Sequence, residues 1–432
     1  MEESKFKTRL KLATVLGVFI YIDVVLVNYI PKGFEAFINQ WTVKSDRNNI
    51  SRDIVYSPDC PAHFRWIHED LLPWKESGIT EEMVGKARES ADFRLVVLNG
   101  TVYVERYRKS YQTRDIFTMW GILQLLEKYP GRVPDLDLSF SCGDKPRIRA
   151  PPGNKTSWSE SLVLPPVFAY CSNNASLDIP FPDWSFWGWP EINIKPWVPL
   201  LNELMEENKN TTWVDRDPNA YWKGNPFVTG RHGVRVALMK CNPTANGVDW
   251  HARAFRQIWN ARSIKSGESN LAKQCKYRYK IYVEGNAWSV SQKYILSCDS
   301  PALLITPKYH DFFSRALIPM KHYFPIDIQA ICKSINSTVS FGNTHQEQAQ
   351  QVGREGSKFI KENLKMDYIY EYMFQLLNAY AKLQKFNITV PAKAIKISSE
   401  SMVAKERGLA NKFMMDSKVE PFSSTSQCNI IN

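Results

Sequence analysis

Asp144 stands where a carboxylate could take part in a reaction. It follows Asp135 to Cys142, a segment that alternates as a β-strand does, and it lies beside Gly143 on the loop to which such a strand leads. A carboxylate in that position can accept the proton of a hydroxyl group, which is a poor nucleophile without a base. The sequence therefore offers Asp144 as a general base.

Two Asp-x-Asp triplets offer a rival chemistry. Asp135 with Asp137, and Asp215 with Asp217, could coordinate a divalent ion that holds the diphosphate of an activated substrate. Triplets this short are common by chance, and the first lies within the predicted strand rather than at its end. We therefore favour a reaction without a metal ion, and we predict no metal site and no cofactor.

A first glycine-containing segment, Lys280 to Leu296, could hold a phosphate group. A predicted strand turns at Gly285, and Ser289 could cap the next helix, whose first amides would face the phosphate. Open α/β sheets bind ligands at the carboxyl ends of their strands. The alternative is an ordinary joint between a strand and a helix.

A second segment, Tyr221 to Arg235, contains two glycines followed by Arg231 and Arg235. Glycines and arginines together could cradle a diphosphate. The segment matches neither the Walker A pattern nor G-x-G-x-x-G, so its specificity is low.

Phe181 to Trp197 is densely aromatic and contains Trp184, Trp187 and Trp189. Indole rings can stack on the faces of sugars, and they also fill protein cores. We expect most of these tryptophans to pack in the core.

The elements around these residues predict an α/β protein. Helices and strands alternate in the second half of the chain, which is typical of a parallel sheet flanked by helices. In the first half, Asn99-Gly100 between two alternating segments predicts a hairpin with a primed turn. One helix is predicted to begin at Thr80 and another near Ser289, and the others cover Ile116 to Tyr129, Trp197 to Asn208, about Asp249 to Ser263, Gln346 to Met366 and Asp367 to Lys385.

Leu12 to Ile30 is an almost unbroken apolar segment of the length that crosses a bilayer. Asp23 interrupts it at a cost of about 2.5–3.5 kcal/mol, which the apolar neighbours outweigh. Basic residues precede it, so the positive-inside rule predicts a single-pass type II membrane protein with a lumenal catalytic part. A cleaved signal peptide is the alternative, although Pro31 and Lys32 do not form a cleavage site.

Other features agree with the lumen of the Golgi or the ER. The 8 cysteines show no zinc spacing and predict structural disulfides in an oxidising compartment. The chain ends without a KDEL-type retention signal, which favours the Golgi. Acceptor sequons predict N-glycosylation at Asn49, Asn99, Asn154, Asn174, Asn210, Asn336 and Asn387.

The chain is basic, with a net charge of +11 and a pI near 9.1. No block of lysine and arginine dominates it, so we interpret the charge as a solvated surface and predict no nucleic-acid partner. A basic balance also suits a protein that holds a diphosphate without a metal ion.

Six segments, in order along most of the chain, resemble the Rumi-like protein O-glucosyltransferases, a family that also contains fungal capsule-associated xylosyltransferases. The resemblance runs from about Cys60 to Ser417 and is strongest to the plant branch. It implies a GT-B fold of two Rossmann-like domains facing a cleft, an inverting reaction without metal, and UDP-glucose or UDP-xylose as donor. The segments are CPAHFRWIHEDLLPW, YPGRVPDLDLSF, FPDWSFWGWPEINIKPW, AYWKGNPFV, YKIYVEGNAWSVSQKYIL and LKMDYIYEYMFQLLNAYAKL.

Position by position, the resemblance assigns the catalytic base to Asp144. Ser291 stands where animal members carry an arginine, so one diphosphate contact is missing or is supplied elsewhere. Cys275 and Cys298 match a disulfide of the family, and the pairing of the other cysteines stays open. The donor side would comprise Asn225, one of Arg231 and Arg235, Asn286, Ala287, Trp288, Ser289, Val290 and Ser291, and the acceptor side Trp184, Trp187, Trp189 and Glu191.

The expected partners are a UDP-sugar, a protein or glycan acceptor, and a membrane. A catalytically silent glycan-binding or scaffold protein of the same fold is the alternative function. The expected organisation is a cytoplasmic tail (1–11), a membrane anchor (12–30), a stem (31–59), an acceptor-side domain (60–197), a donor-binding domain (198–366), a C-terminal helix that packs back across the domains (367–417) and a tail (418–432).

Overall fold

The computed structural model describes residues 55–56, 60–152, 163–244, 247–257, 270–420, 428 and 430–431. The predicted cytoplasmic tail, membrane anchor and most of the stem lie outside the described residues, as do the sequons at Asn49 and Asn154. No helix in the described part of the chain combines the length and the apolar character needed to span a bilayer.

The strands and helices follow one another as an α/β chain. The strands are β1 (Val55–Tyr56), β2 (Phe93–Leu98), β3 (Thr101–Arg106), β4 (Leu136–Phe140), β5 (Val167–Ala169), β6 (Ile179–Pro180), β7 (Asp217–Gly224), β8 (Ala252–Arg256), β9 (Tyr277–Tyr282), β10 (Ala302–Ile305), β11 (Tyr323–Ile326), β12 (Ile395–Ile397) and β13 (Ile430–Ile431). The helices are α1 (Trp66–Leu71), α2 (Glu81–Ala87), α3 (Arg114–Lys128), α4 (Trp197–Asn210), α5 (Val234–Met239), α6 (Ser291–Leu296), α7 (Ile331–Thr344), α8 (Gln346–Asn363), α9 (Met366–Leu383), α10 (Ser399–Lys405) and α11 (Gly408–Asp416).

The second half of the chain forms a 5-stranded parallel sheet with the order β8-β7-β9-β10-β11. Counted from its own first strand, this is the doubly wound order 2-1-3-4-5. The parallel sheet predicted from the alternation of elements is confirmed. The direction of winding reverses between β7 and β9, and sheets of this kind bind ligands outside the carboxyl ends of the strands at that point.

The first half forms a 6-stranded mixed sheet with the order β12-β3-β2-β4-β5-β6. Only the pairings β4–β5 and β5–β6 are parallel, so this sheet is mixed and departs from the all-parallel sheet of a Rossmann-like domain. β2 and β3 form the predicted hairpin. Asn99 and Gly100 have φ angles of 50° and 69°, which a primed two-residue turn requires and which asparagine and glycine tolerate.

The part of the chain beyond residue 365 packs against the six-stranded sheet of the first half. α9 packs near β4, where the Tyr380 hydroxyl donates to the Asp137 carbonyl at 3.0 Å and the Gln384 side chain donates to the same carbonyl at 2.7 Å. β12 then adds an antiparallel edge strand beside β3. The six-stranded sheet is therefore completed by a segment that follows the five-stranded sheet in sequence.

The prediction of a helix from about Asp249 to Ser263 is wrong for the residues that the structure describes, because Ala252–Arg256 form β8. Ala252 and Ala254 are buried, whereas Phe255 is 42% exposed. This alternation has the period of two that a strand shows.

The described sequons differ in accessibility. The asparagines at 99, 174, 210 and 387 are exposed. Asn336 lies within α7 and is half-buried, and the Thr338 hydroxyl that completes its sequon belongs to a residue that is 2% exposed. The folded chain presents the first four sites and not Asn336; glycosylation itself stays a prediction.

Candidate active site

A cleft of about 650 Å³ lies at the carboxyl ends of strands from both sheets. Its wall includes Gly143 and Asp144 beyond β4, Gly224 at the end of β7, and Asn286 beyond β9. β7 and β9 are the strands between which the winding reverses, so the cleft occupies the position at which doubly wound sheets bind ligands.

Asp144 lies in the wall of this cleft, with 37% of its side chain exposed. Its Oδ1 accepts a hydrogen bond from Arg114 Nη1 at 2.8 Å. Its Oδ2 accepts a long hydrogen bond, 3.4 Å, from Nδ2 of Asn286, which belongs to the other half of the chain. The predicted base therefore faces the predicted donor loop and is accessible to a ligand.

Two buried cysteines support the loop that carries Asp144. The Cys142 backbone amide donates to Asp92 Oδ2 at 2.6 Å, and the Cys171 thiol donates to the Asp144 carbonyl at 3.3 Å. Burial raises the pKa of Cys142 to about 12 and also raises the pKa of Cys171. Both sulfurs stay protonated at neutral pH, so Cys171 can act as a donor.

Arg114 is a site residue that the sequence reasoning missed. It is the first residue of α3, and its guanidinium lies 4.3 Å from the centroid of the Trp184 ring. The signal in the sequence was weak but present: a cation in the first turn opposes the positive end of the helix dipole, so an arginine there needs another reason. Its ion pair with Asp144 supplies that reason.

The predicted donor loop forms part of the cleft wall. Trp288, Ser289, Val290 and Ser291 all line it, whereas Ala287 is buried and does not. The N-cap residue of α6 is Val290 and not the predicted Ser289, because the helix begins at Ser291. The Ser289 hydroxyl still accepts the backbone amide of Ser291 at 3.4 Å, and it lies 2.9 Å from the Ser291 hydroxyl.

The structure distinguishes the two candidate arginines. Arg235 lines the cleft and donates to the backbone carbonyl oxygens of Glu284 at 2.8 Å, of Asn225 at 3.2 Å and of Val283 at 3.3 Å. Among the described residues no carboxylate forms an ion pair with it. Burial lowers the pKa of Arg235 to about 10, so the side chain remains charged at neutral pH. Arg231 is exposed and lies outside the cleft wall.

Asn225 and Glu284 frame the arginine. Asn225 is exposed in the cleft wall, and its side-chain oxygen accepts from the Phe227 amide at 3.0 Å. Burial raises the pKa of Glu284 to about 7, while two backbone amides, from Lys308 at 2.8 Å and Tyr309 at 2.7 Å, act in the opposite direction. The Glu284 backbone carbonyl thus holds Arg235, while its carboxylate binds the Lys308 and Tyr309 amides.

The aromatic segment contributes to the opposite wall. Trp184 and Trp189 line the cleft and meet edge to face with ring centroids 4.9 Å apart. Glu191 also lines it, and its Oε2 accepts from the Thr113 hydroxyl at 3.0 Å. These three predicted acceptor-side residues are brought together.

Trp187 is not part of that wall, which corrects its assignment to the acceptor side. It is fully buried, and its Nε1 donates to the Tyr370 hydroxyl on α9 at 2.8 Å. A Cβ atom on Gly121 would lie 2.4 Å from the Trp187 ring. The ring is therefore packed against a site that only glycine can provide.

A buried ion pair connects the two walls. Lys293 on α6 donates to Asp183 Oδ2 at 3.0 Å and to the Ser185 hydroxyl at 2.9 Å. Asp183 accepts the Ser185 backbone amide at 2.9 Å, and so caps the short helix that begins at Trp184. The helix after the donor loop is thereby tied to the residue that presents the Trp184 ring.

The disulfide between Cys275 and Cys298 is present, as the resemblance implies, and a second disulfide joins Cys241 to Cys332. The Asp-x-Asp triplets lie elsewhere. Asp137 is fully buried in an ion pair with Arg94, and none of the four triplet carboxylates lines the cleft.

A family model described as "Glycosyl transferase family 90" matches residues 56–432. The chain belongs to glycosyl transferase family 90. As a member of family 90 it is a glycosyltransferase, and the cleft with Asp144 in its wall is the candidate active site of that enzyme.

Curated relatives of this family 90 chain are named as O-glucosyltransferases. It is 25% identical over 370 residues to "Protein O-glucosyltransferase 1" of Homo sapiens, covering 81% of this chain and 88% of the relative. It is 24% identical to "O-glucosyltransferase rumi homolog" of Anopheles gambiae, with 79% and 83% covered, and 24% identical to "O-glucosyltransferase rumi" of Drosophila melanogaster, with 76% and 79% covered. The Rumi-like resemblance is confirmed, and the plant branch stays a prediction.

Among solved structures, the family 90 chain is similar to sucrose-phosphate synthase of Thermosynechococcus elongatus. The likeness covers 44% of this chain and 51% of that chain, at 11% identity and a TM-score of 0.28. A likeness of this size supports no conclusion about fold or function.

Proposed function

We propose that the enzyme moves glucose or xylose from a UDP-sugar to a hydroxyl of a protein serine or threonine, or of a glycan, with inversion at the anomeric carbon and without a metal ion. The observation that carries the proposal is the position of Asp144, an exposed carboxylate 3.4 Å from Asn286 of the donor loop. The names of the relatives support glucosyl transfer to protein.

In the proposed reaction Asp144 accepts the proton of the acceptor hydroxyl. The hydroxyl oxygen forms a bond to the anomeric carbon from the face opposite UDP, and the bond between that carbon and the diphosphate oxygen breaks. The bonding electrons leave with UDP. One sugar linkage is broken and one is formed, and the proton passes from Asp144 to solvent.

The donor side has a group suited to the charge of the leaving diphosphate. Arg235 is charged, is held by three carbonyl oxygens and has no carboxylate partner among the described residues. An arginine in a partly buried site binds phosphate oxygens strongly. It would provide the positive charge that Ser291 cannot, while Asn225 and the loop from Asn286 to Ser291 would position the rest of the donor.

The acceptor side would be the wall formed by Trp184, Trp189 and Glu191. Trp189 is half-buried and would offer an indole face to a sugar or an extended peptide, whereas Trp184 is 1% exposed, carries Arg114 against its ring and would support Trp189. Residues 60–197 would then act as the acceptor-side domain and residues 198–366 as the donor domain of a GT-B enzyme. The apolar segment at 12–30 would anchor the enzyme in the Golgi or ER membrane with this cleft in the lumen.

The test is turnover of UDP-glucose and UDP-xylose by the full chain in detergent. Release of UDP, transfer to a panel of folded secreted proteins and of glycans detected by mass, and the anomeric configuration of the product by NMR would be measured. We expect transfer, a β-linked product from an α-linked donor, and unchanged rates in the presence of a chelator.

The Asp144→Asn variant should bind UDP normally and fail to transfer. Retained transfer by this variant would remove Asp144 from the role of base. UDP binding without turnover by the wild type, across both donors, would favour the catalytically silent glycan-binding protein, which Ser291 in place of arginine also suggests. Loss of turnover on chelation would favour the metal-dependent route.

A further inference from the structure

Two arginines in this chain have almost the same surroundings. Arg114 donates to Asp144 at 2.8 Å and lies 4.3 Å from the centroid of the Trp184 ring. Arg315 donates to Asp70 at 2.8 Å and lies 4.4 Å from the centroid of the Trp66 ring. In both residues the Nε atom is buried and has no hydrogen-bond partner. We call these groups the cleft triplet (Arg114, Asp144, Trp184) and the core triplet (Arg315, Asp70, Trp66).

The triplets differ in how the carboxylate is used. Arg315 donates from Nη1 to one oxygen of Asp70 and from Nη2 to the other, and the Asp70 side chain is 6% exposed. Arg114 reaches only Oδ1 of Asp144, and the same Nη1 also donates to the Cys142 carbonyl at 3.2 Å. The core triplet thus binds both carboxylate oxygens to the arginine, whereas in the cleft triplet Oδ2 accepts only a long hydrogen bond from Asn286 Nδ2 at 3.4 Å.

Arg114 is itself held in place, so it can act as a fixed support. Its side chain is 8% exposed and lies against the Trp184 ring. Its backbone carbonyl accepts from the Thr118 hydroxyl at 2.8 Å and from the Tyr170 hydroxyl at 3.3 Å. A guanidinium with so little freedom fixes the rotation of any carboxylate bound to it.

We infer that Arg114 is a positioning residue for the base: by holding Oδ1 it directs Oδ2 of Asp144 to receive the acceptor proton. This inference rests on the proposed function of Asp144. A base must lie within hydrogen-bond reach of the proton it accepts, and a displacement of about 1 Å in a reacting group can lower the rate about 10²-fold. Arg114 touches neither sugar nor hydroxyl in this role and acts through Asp144.

The test compares matched substitutions in the two triplets of the full chain. Arg114→Gln should lower kcat by about 10²-fold and leave UDP affinity unchanged, because the donor loop is intact. Arg114→Lys keeps a charge that can reach Oδ1 but loses the fork, so it should recover part of kcat. Arg315→Gln and Arg315→Lys should lower the unfolding temperature and leave kcat per folded molecule unchanged.

An Arg114→Gln variant with the kcat of the wild type would overturn the inference. So would equal losses of kcat in Arg114→Gln and Arg315→Gln, since the effect would then follow from general loss of structure. So would an Arg114→Lys variant as slow as Arg114→Gln.

A crystal structure of Arg114→Gln separates this inference from the proposed function. We expect the Asp144 carboxylate to rotate so that Oδ2 no longer lies toward Asn286. A carboxylate that stays within about 0.5 Å of its wild-type position would overturn the inference even if the wild type transfers sugar. If the wild type has no turnover, the proposed function fails, while a rotated carboxylate would still establish Arg114 as its support.

Discussion

The cleft triplet and the core triplet use the same three residue types for different purposes. Both place an arginine between an aspartate and the face of a tryptophan, at nearly equal distances. In the core triplet both carboxylate oxygens bind the arginine, and 6% of the Asp70 side chain is exposed; in the cleft triplet one oxygen does so, and 37% of the Asp144 side chain is exposed. Residue types alone therefore do not identify the reactive carboxylate.

What distinguishes them is the unfilled hydrogen-bonding capacity of one oxygen. A carboxylate with both oxygens bound to a guanidinium is a structural group, and removing one partner leaves a buried charge. In the cleft triplet one oxygen is fixed by Arg114, while the other accepts only a long hydrogen bond from Asn286 Nδ2 at 3.4 Å and can receive a proton in a defined direction. An accessible carboxylate with only one oxygen bound to the arginine is thus the feature that identifies the site.

Neutralising each carboxylate in turn should give the largest difference between the two triplets. Asp144→Asn should lower turnover by about 10²–10⁴-fold, the usual contribution of a general base. Asp70→Asn should leave turnover per folded molecule unchanged, because neither Asp70 nor Arg315 lines the cleft. The measurement is UDP release corrected for the folded fraction by circular dichroism. Equal losses in the two variants would contradict the distinction.

Stability should change in the opposite order. Asp70→Ala should lower the free energy of unfolding by about 3–5 kcal/mol, because both Nη1 and Nη2 of Arg315 lose the buried carboxylate that they bind, whereas Arg114 keeps the Cys142 carbonyl. Asp144→Ala should cost about 1–2 kcal/mol, since water in the cleft can replace the missing oxygen. Denaturant unfolding of the full chain would measure the change in the free energy of unfolding for both variants. A larger loss for Asp144→Ala would show that the cleft pair is structural as well.

Arg235 and Arg231 should differ in the same way in their effect on UDP binding. Arg235→Ala should weaken UDP binding about 10–100-fold, the loss of a charged hydrogen-bond donor in a partly buried site. Arg231→Ala is the matched control and should leave binding unchanged, because Arg231 is exposed and outside the cleft wall. Calorimetric titration with UDP gives both values. A greater effect of Arg231→Ala would reverse our assignment of the diphosphate-binding arginine.

The smallest expected effect is on the pH dependence of stability, and it comes from His63 in the region of the core triplet. Burial lowers the pKa of His63 from 6.5 to about 3. The folded chain therefore keeps His63 neutral where the unfolded chain binds a proton, so stability is complete above pH 6.5 and is lost as the pH falls toward about 3. At about pH 5 the loss should be about 2 kcal/mol relative to neutral pH.

His63→Phe should remove that part of the pH dependence, since Phe64 and Phe312 already surround the ring with aromatic contacts. Unfolding by urea at a series of pH values provides the measurement. A variant that loses stability with falling pH as steeply as the wild type would assign the effect to other groups.

The sequence predicted those features that depend on nearby residues. The hairpin at Asn99-Gly100, the start of α2 after Thr80, and the position of Asp144 after a strand all follow from local patterns, and the structure agrees with each. The long helices α8 and α9 have their periodicity in one continuous segment and begin and end within a few residues of the predicted limits.

Other features depend on residues that are distant in sequence, and local patterns do not determine them. Asn286 approaches Asp144 across 142 positions, and the ring of Trp187 is buried because residue 121 is glycine. The choice between Arg231 and Arg235 depended on which of them the turn after β7 directs into the cleft. The helix predicted over β8 is wrong because this short segment is a strand through its pairing with β7.

The return of the chain to its first sheet has a consequence for biosynthesis. β12 and the end of α9 complete the six-stranded sheet, although the whole five-stranded sheet lies between them and β3 in sequence. During synthesis on the ribosome, the β3 edge of the six-stranded sheet therefore stays uncovered until almost the entire polypeptide has been made. A premature stop codon before residue 397 would leave the first-half sheet without its edge strand as well as shorten the chain, so truncated products should be degraded rather than accumulate as partial enzymes.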